Sequence, residues 1–306
     1  MGIHNKDLIT TAQLSVEEIE EILNLAREMR AQVQSRQKMN DCLKGVSVIN
    51  LFYENSTRTR SSFELAAKYQ GANVLNISAS SSSVQKGESL WDTAQTINAY
   101  YPDVIIMRHP NSGAHYILGA HTNARVINAG DGMHAHPTQA LLDLMTILDY
   151  KKELHGLKVV ITGDVSHSRV VRSNIMLLRK FGCDITLCGP MTLMPAAIEQ
   201  LGVKVEQHFD TAIRDADVVM MLRIQLERQK AGLFPSGEEY THYYCLNRER
   251  LSLAAPDAIV LHPGPINRGV EIEADIADCS QSKILEQVTN GLCVRMALLK
   301  LMSEEA

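Results

Sequence analysis

Short apolar runs alternate with segments of helical period, and the alternation begins twice. This feature constrains the chain more than any other in its 306 residues. In the first series, residues 46–53 (VSVINLFY) make a run of strand length, after which Phe63, Leu65, Ala66 and Tyr69 fall at helical spacing. Gly71 stands where a left-handed C-terminal cap belongs, and residues 73–77 resume as a strand. A helix over 88–100 and a strand over 103–107 follow. Upstream, Val16, Ile19, Ile22, Leu23 and Ala26 mark a helix over 15–30, with Ser15 and Glu18 as its capping box.

A long apolar-periodic helix over 137–150 leads to the second series. It gives strands at 158–162, 184–188, 203–206, 217–222 and 258–261. Helices are expected at 169–180 and 193–201, near Ala212, and at 283–302. Residues 225–243 lack a period and carry both Gly and Pro, so they read as a long loop. Strand, helix, strand is the grammar of a parallel sheet with helices on its faces. The expected fold class is therefore α/β, with two domains, each a parallel β-sheet flanked by helices, joined by interdomain helices. The expected boundaries are 1–145, with a C-terminal helix at about 286–306, for the first domain and 146–285 for the second.

The net charge of −5 and the single Trp argue against a nucleic-acid surface, which needs a basic face and stacking platforms. Six scattered cysteines include no C-x-x-C pair, which points to buried thiols rather than disulfides or zinc. The start, MGIHNKDLITT, has no basic-then-apolar pattern, and no apolar run approaches membrane-spanning length. A cytoplasmic protein without a membrane or nucleic-acid partner is expected. G-x-G-x-x-G, G-x-S-x-G and metal-ligand spacings are all missing from the sequence, so neither a metal nor a cofactor is expected.

The strand at 46–53 runs into ENSTRTRSSFE, residues 54–64, with five hydroxyls and two arginines between two glutamates. A strand-to-helix junction already offers free N–H groups and a helix dipole to an anion. Ser56, Thr57 and Thr59 add hydroxyl donors, and Arg58 adds a planar fork suited to phosphate. Ser61 with Glu64 would make a capping box without any ligand. The sequon Asn55-Ser56-Thr57 has no use in a cytoplasmic chain. Further stretches fall at similar strand ends: MRHP (Arg108), HPTQ (His136, Gln139), GDVSHSR (Arg169) and LRIQ (Arg223, Gln225). The pattern is rich in donors and poor in nucleophiles, which suits an anionic ligand and chemistry by positioning and charge stabilisation.

Seven stretches in order, STRTR, KGES, MRHP, HPTQ, GDVSHSR, LRIQ and HPGP, resemble the aspartate and ornithine carbamoyltransferase family across nearly the whole chain. The resemblance implies that Ser56, Thr57, Arg58 and Thr59 bind the phosphate of carbamoyl phosphate. It implies that Arg108, His136 and Gln139 hold and polarise the carbamoyl group, and that Gly264 and Pro265 contribute backbone carbonyls. Ser82 and Lys86 match a loop that serves the neighbouring subunit's active site. Arg58, Thr59, Lys86, Arg108 and His136 are thus the expected catalytic set. Lys86, Arg169, Arg223 and Gln225 match the groups that bind L-aspartate. Two cationic partners suit a dicarboxylate, whereas an ornithine enzyme needs an acidic partner for the amine. The family's Ser-Met-Gly and His-Cys-Leu-Pro signatures of ornithine enzymes are absent here. Gly264 departs from the Leu common at that position.

The expected reaction yields N-carbamoyl-L-aspartate and phosphate, early in pyrimidine biosynthesis. The alternatives are a carbamoyltransferase for another amino acid such as ornithine, or a non-catalytic scaffold subunit of the same fold. The resemblance further implies a homotrimer with shared active sites, and it leaves room for a regulatory chain or dihydroorotase as partner.

Overall fold

The structure is a computed structural model describing residues 3–78, 87–224 and 236–304. The chain divides into two compact units, Met1–Leu142 with Thr289–Ala306, and Asp143–Val288. The strands are β1 (Ser47–Phe52), β2 (Asn73–Ser78), β3 (Val104–His109), β4 (Arg125–Asp131), β5 (Lys158–Thr162), β6 (Asp184–Cys188), β7 (Lys204–Glu206), β8 (Val218–Met221) and β9 (Ile259–Leu261). The helices are α1 (Val16–Gln34), α2 (Thr57–Tyr69), α3 (Leu90–Asn98), α4 (Ala114–Ala120), α5 (Pro137–Tyr150), α6 (Arg169–Leu178), α7 (Phe209–Ala212), α8 (Gly237–Tyr244), α9 (Arg248–Leu251), α10 (Ala274–Ala277) and α11 (Ile284–Ser303).

In the first unit the sheet order is β2-β1-β3-β4, and every pairing is parallel. Ile49, Leu51, Ile105, Met107 and Val126 form one buried face, packed against Ala94 and Ile97 of α3 and Ala114 and Leu118 of α4. The cap expected for α1 is present: Glu18 N–H donates to Ser15 Oγ at 3.1 Å, and Ser15 N–H donates to Glu18 Oε2 at 2.7 Å. α2 ends at Tyr69 with Gln70 as its C-cap, and Gly71 follows at φ +82. In the second unit the order is β7-β6-β5-β8-β9, again all parallel. Val160, Val219, Met221 and Val260 pack there against Phe209, Ile213, Leu246 and Ile276.

Each order reverses once, between β1 and β3 in the first sheet and between β5 and β8 in the second. Loops leaving the carboxyl ends of such a strand pair run to opposite sides and open a crevice, the position where α/β sheets bind ligands.

Three expectations are corrected, and two elements appear where the sequence predicts none. β4 and α4 emerge from a region without a clear period, because β4 ends in Ala-Gly-Asp and α4 is a seven-residue helix containing Gly119. The helix expected over 193–201 is replaced by 3₁₀ turns at Met191–Leu193 and Ile198–Leu201, with Ala197 at φ +57. Pro195 accounts for the break, since it lacks an N–H and drives the preceding residue out of the helical region. The end of the expected loop is the helix α8, capped by Ser236 Oγ on Glu239 N–H at 3.1 Å; residues 225–235 lie outside the described residues. The thiols are not all buried: Cys42 is exposed and Cys279 half-buried. Burial raises the Cys188 thiol to about 12.

Gly163 lets the carboxyl ends of β5 and β8 approach. It sits at φ +135, and a Cβ there would lie 2.9 Å from Leu222 Cβ and 3.1 Å from Leu222 O. Gly163→Ala should therefore cost about 1–3 kcal/mol. Urea unfolding should show a lower midpoint at unchanged slope, and an unshifted midpoint would refute the close approach.

Candidate active site

In the first unit, α2 starts at Thr57 with Ser56 as N-cap in extended conformation, and the Ser56 hydroxyl makes no cap hydrogen bond. That hydroxyl and the first-turn N–H groups are the donors a helix start leaves over. The first turn carries no acidic residue to compete for them. Thr59 is buried, whereas Thr57 and Arg58 are exposed. The capping box expected from Ser61 and Glu64 is not formed. Both lie inside α2, and Glu64 instead accepts from Lys68 Nζ at 2.6 Å, one turn on.

Arg108 is the penultimate residue of β3, and the β1–β3 register sets it opposite Phe52. That register brings it to Glu54, which the sequence reading left without a role. Arg108 Nε donates to Glu54 Oε2 at 3.1 Å, with side-chain exposures of 15% and 19%. The guanidinium plane is thus oriented from its Nε edge, and Nη1 lies 3.5 Å from Ala129 O. His136 and Gln139 are buried at the start of α5, where Gln139 N–H donates to His136 O at 3.0 Å. Neighbouring His109 Nδ1 accepts the Asn111 N–H at 3.0 Å, which places the ring proton of the neutral form on Nε2. Burial is the main cause that lowers the His109 pKa, against the pull of Glu54 and Asp131.

In the second unit, Arg169 is the first residue of α6 and is buried, and Ser168 Oγ caps that helix at Val171 N–H. The turn before it is tied by Asp164, whose Oδ1 lies 2.8 Å from His167 Nδ1. Arg223 is half-buried two residues beyond β8. Gly264 and Pro265, joined by a cis peptide, follow β9. His262 steadies that turn: its Nδ1 accepts Gly264 N–H at 2.8 Å, so Nε2 carries the proton directed at buried Glu271 Oε1, 3.1 Å away.

Each set therefore lies at the carboxyl ends of its own unit's strands. Ser56–Thr59 and Arg108 follow or end the two strands of one reversal, and Arg169 and Arg223 follow those of the other. Ser82, Lys86 and Gln225 lie outside the described residues.

The family model for the aspartate/ornithine carbamoyltransferase carbamoyl-P binding domain matches residues 6–149, and that for the Asp/Orn binding domain matches residues 155–302. The chain belongs to the aspartate/ornithine carbamoyltransferase family. An aspartate carbamoyltransferase catalytic subunit from Ruminiclostridium cellulolyticum is 58% identical over 303 residues, covering 99% of this chain and 97% of that protein. Aspartate transcarbamoylase of Trypanosoma cruzi, solved with carbamoyl phosphate and aspartate, is 30% identical with TM-score 0.86, covering 97% of this chain and 96% of that one. Ornithine carbamoyltransferase of Pyrococcus furiosus is 28% identical with TM-score 0.88, covering 100% and 99%. Fold likeness thus extends to both branches of the family, and the choice between them falls to sequence and side chains.

Because the folded His109 resists protonation, the unfolded chain binds its proton first as pH falls. Stability held above the ordinary value of 6.5 is therefore lost below it, until the lowered folded pKa is reached. His109→Gln should remove up to about 1.4 kcal/mol per pH unit of that acid-side slope. Unfolding free energies from pH 7.5 down to about 5.5 would show it, and identical slopes in both proteins would refute it.

Proposed function

We propose that this chain transfers the carbamoyl group of carbamoyl phosphate to the α-amine of L-aspartate, giving N-carbamoyl-L-aspartate and phosphate in the pyrimidine pathway. The observation that carries this reading is the 58% identity to an aspartate carbamoyltransferase catalytic subunit over 99% of the chain. Two arginines, Arg169 and Arg223, follow the reversal strands of the second unit and support the choice of a dicarboxylate. An ornithine substrate would meet these cations with a cationic side chain.

Ser56, Thr57, Arg58 and Thr59 grip the phosphate at the start of α2, where helix dipole and free N–H groups add to the arginine. Arg108, His136 and Gln139 hold the carbamoyl group, with Gly264 and Pro265 contributing carbonyl acceptors. Arg169, Arg223 and Gln225 bind the carboxylates of aspartate, and Lys86 assists. The neutral α-amine attacks the carbamoyl carbon, forming the new C–N bond. Thr59, Arg108 and His136 meet the charge that develops on the carbonyl oxygen. The C–O bond to phosphate then breaks, Arg58 and Lys86 offset the charge on the leaving phosphate, and that phosphate accepts the proton shed by the amine.

Assay of carbamoyl transfer to aspartate and to ornithine tests the reading directly: aspartate should be the acceptor, and transfer to ornithine alone would overturn it. Arg108→Ala and His136→Ala should each lower kcat by about 10²–10³-fold, the usual cost of one oxyanion donor. Near-wild-type turnover in both would overturn their roles.

The working unit is a cytoplasmic homotrimer, a closed ring in which Ser82 and Lys86 of one subunit complete the site of the next. Among the described residues no helix is long and apolar enough to cross a membrane. Mixing inactive Lys86→Ala and His136→Ala subunits should restore activity, because some sites then combine one intact half from each. Mixed trimers that stay inactive would exclude shared sites.

A further inference from the structure

Asp131 ends β4 five residues before His136 and is fully buried. Its carboxylate accepts from both sides of the strand end. Oδ1 takes Asn128 Nδ2–H and Ala135 N–H, each at 2.9 Å. Oδ2 takes Gly113 N–H at 3.0 Å and lies 2.9 Å from His134 Nδ1. The backbone closes the same turn: Asp131 N–H donates to Ala135 O at 3.1 Å, and His134 N–H donates to Asp131 O at 2.9 Å. Gly132 N–H donates to His109 O at 2.9 Å, which ties the turn to the end of β3. Gly132 itself sits at φ +48, where a Cβ would meet Ser112 N at 2.7 Å and Pro110 O at 2.9 Å.

A buried carboxylate costs several hydrogen bonds' worth of desolvation unless each oxygen is satisfied, and here the satisfying donors come from three separate places in the chain. They are the residue before α4, the middle of β4, and the two residues directly ahead of His136. No residue intervenes between Ala135 and His136, so a shift of Ala135 moves the His136 backbone with it. The carboxylate therefore locks the residue ahead of α4, the strand β4 and the helix start carrying His136 into one frame, and the Gly132 N–H bond to His109 O adds the strand end carrying Arg108.

We infer that Asp131 is a positioning residue for His136, with His134 as its side-chain anchor. This rests on the proposed carbamoyl transfer, in which His136 meets the carbamoyl group and the start of α2 meets the phosphate. The two halves of carbamoyl phosphate then report on different parts of the site. Loss of Asp131 should weaken recognition of the carbamoyl half while sparing the phosphate half.

Calorimetric titration with carbamoyl phosphate and with inorganic phosphate separates them. Asp131→Asn keeps the shape but faces an amide N–H against donors. It should weaken carbamoyl phosphate by about 10–100-fold, the range for losing a hydrogen bond to a charged group, and leave phosphate within about twofold. His134→Ala, at a partly exposed position, should move in the same direction by about 3–10-fold, and His134→Asn, which keeps a donor, should recover most of the loss. The His134 pair decides the matter if Asp131→Asn fails to fold. Equal weakening of both ligands, or no weakening of either, would overturn the inference. A wild-type protein that carbamoylates no amino acid would instead sink the proposed function itself, and the positioning role with it.

Discussion

The reversal of strand order in each parallel sheet is the constraint on which the rest depends. Crossovers in such sheets keep one hand, so β1 must send its chain to one side and β3 to the other. Nothing can then cover the carboxyl ends of that pair with a shared loop. The backbone N–H groups at the start of α2 are left to solvent or ligand, and Arg108 emerges beside them from β3. The second unit repeats the arrangement around β5 and β8 with no repeated sequence. Topology supplies the position, and the residues placed there supply the chemistry.

Cations at such a position need to be aimed as well as present. An unrestrained arginine holds about 2 kcal/mol of rotamer freedom that ligand binding must remove. Glu54 takes part of that cost in advance by fixing the Nε edge of Arg108. A pair this close to solvent adds little to stability, about 0–1 kcal/mol. Its value under the proposed reaction lies in presenting the Nη edge in one orientation as charge develops, which is electrostatic preorganisation.

Much of this was legible in the sequence because it rests on local rules. The strand at 46–53, the Ser15–Glu18 box and Gly71 follow from pattern and cap chemistry that one segment carries alone. The placement of Ser56–Thr59, Arg108, Arg169 and Arg223 at strand ends was legible because it follows from the strand pattern alone. What escaped was decided by tertiary context. The strand β4 is marked by no alternation since Val126, Ile127 and Ala129 are buried on both faces and its end is Gly-Asp. Ser61 and Glu64 satisfy a capping template, but the helix begins a turn earlier and Glu64 turns to Lys68. The pairing of Glu54 with Arg108 required the register of two strands 54 residues apart in sequence.

The buried acids follow one logic in both units. Asp131, Asp164 and Glu271 all stand beyond or at the end of a strand and close to the arginine- or histidine-bearing stretches. A bare carboxylate repels an anionic ligand, so three unengaged acids here would oppose binding. Each is engaged internally instead: Asp131 through both oxygens on Gly113, Asn128, His134 and Ala135, Asp164 on His167, and Glu271 through Oε1 on Asn267 N–H at 2.6 Å and on His262. Hydrogen bonds from N–H dipoles spread that charge into the backbone and bind the turn at the same time. An amide would fill the same space, but one face of it would present N–H to N–H. At Asp131 both carboxylate oxygens accept, and a strand-end turn built from donors requires that.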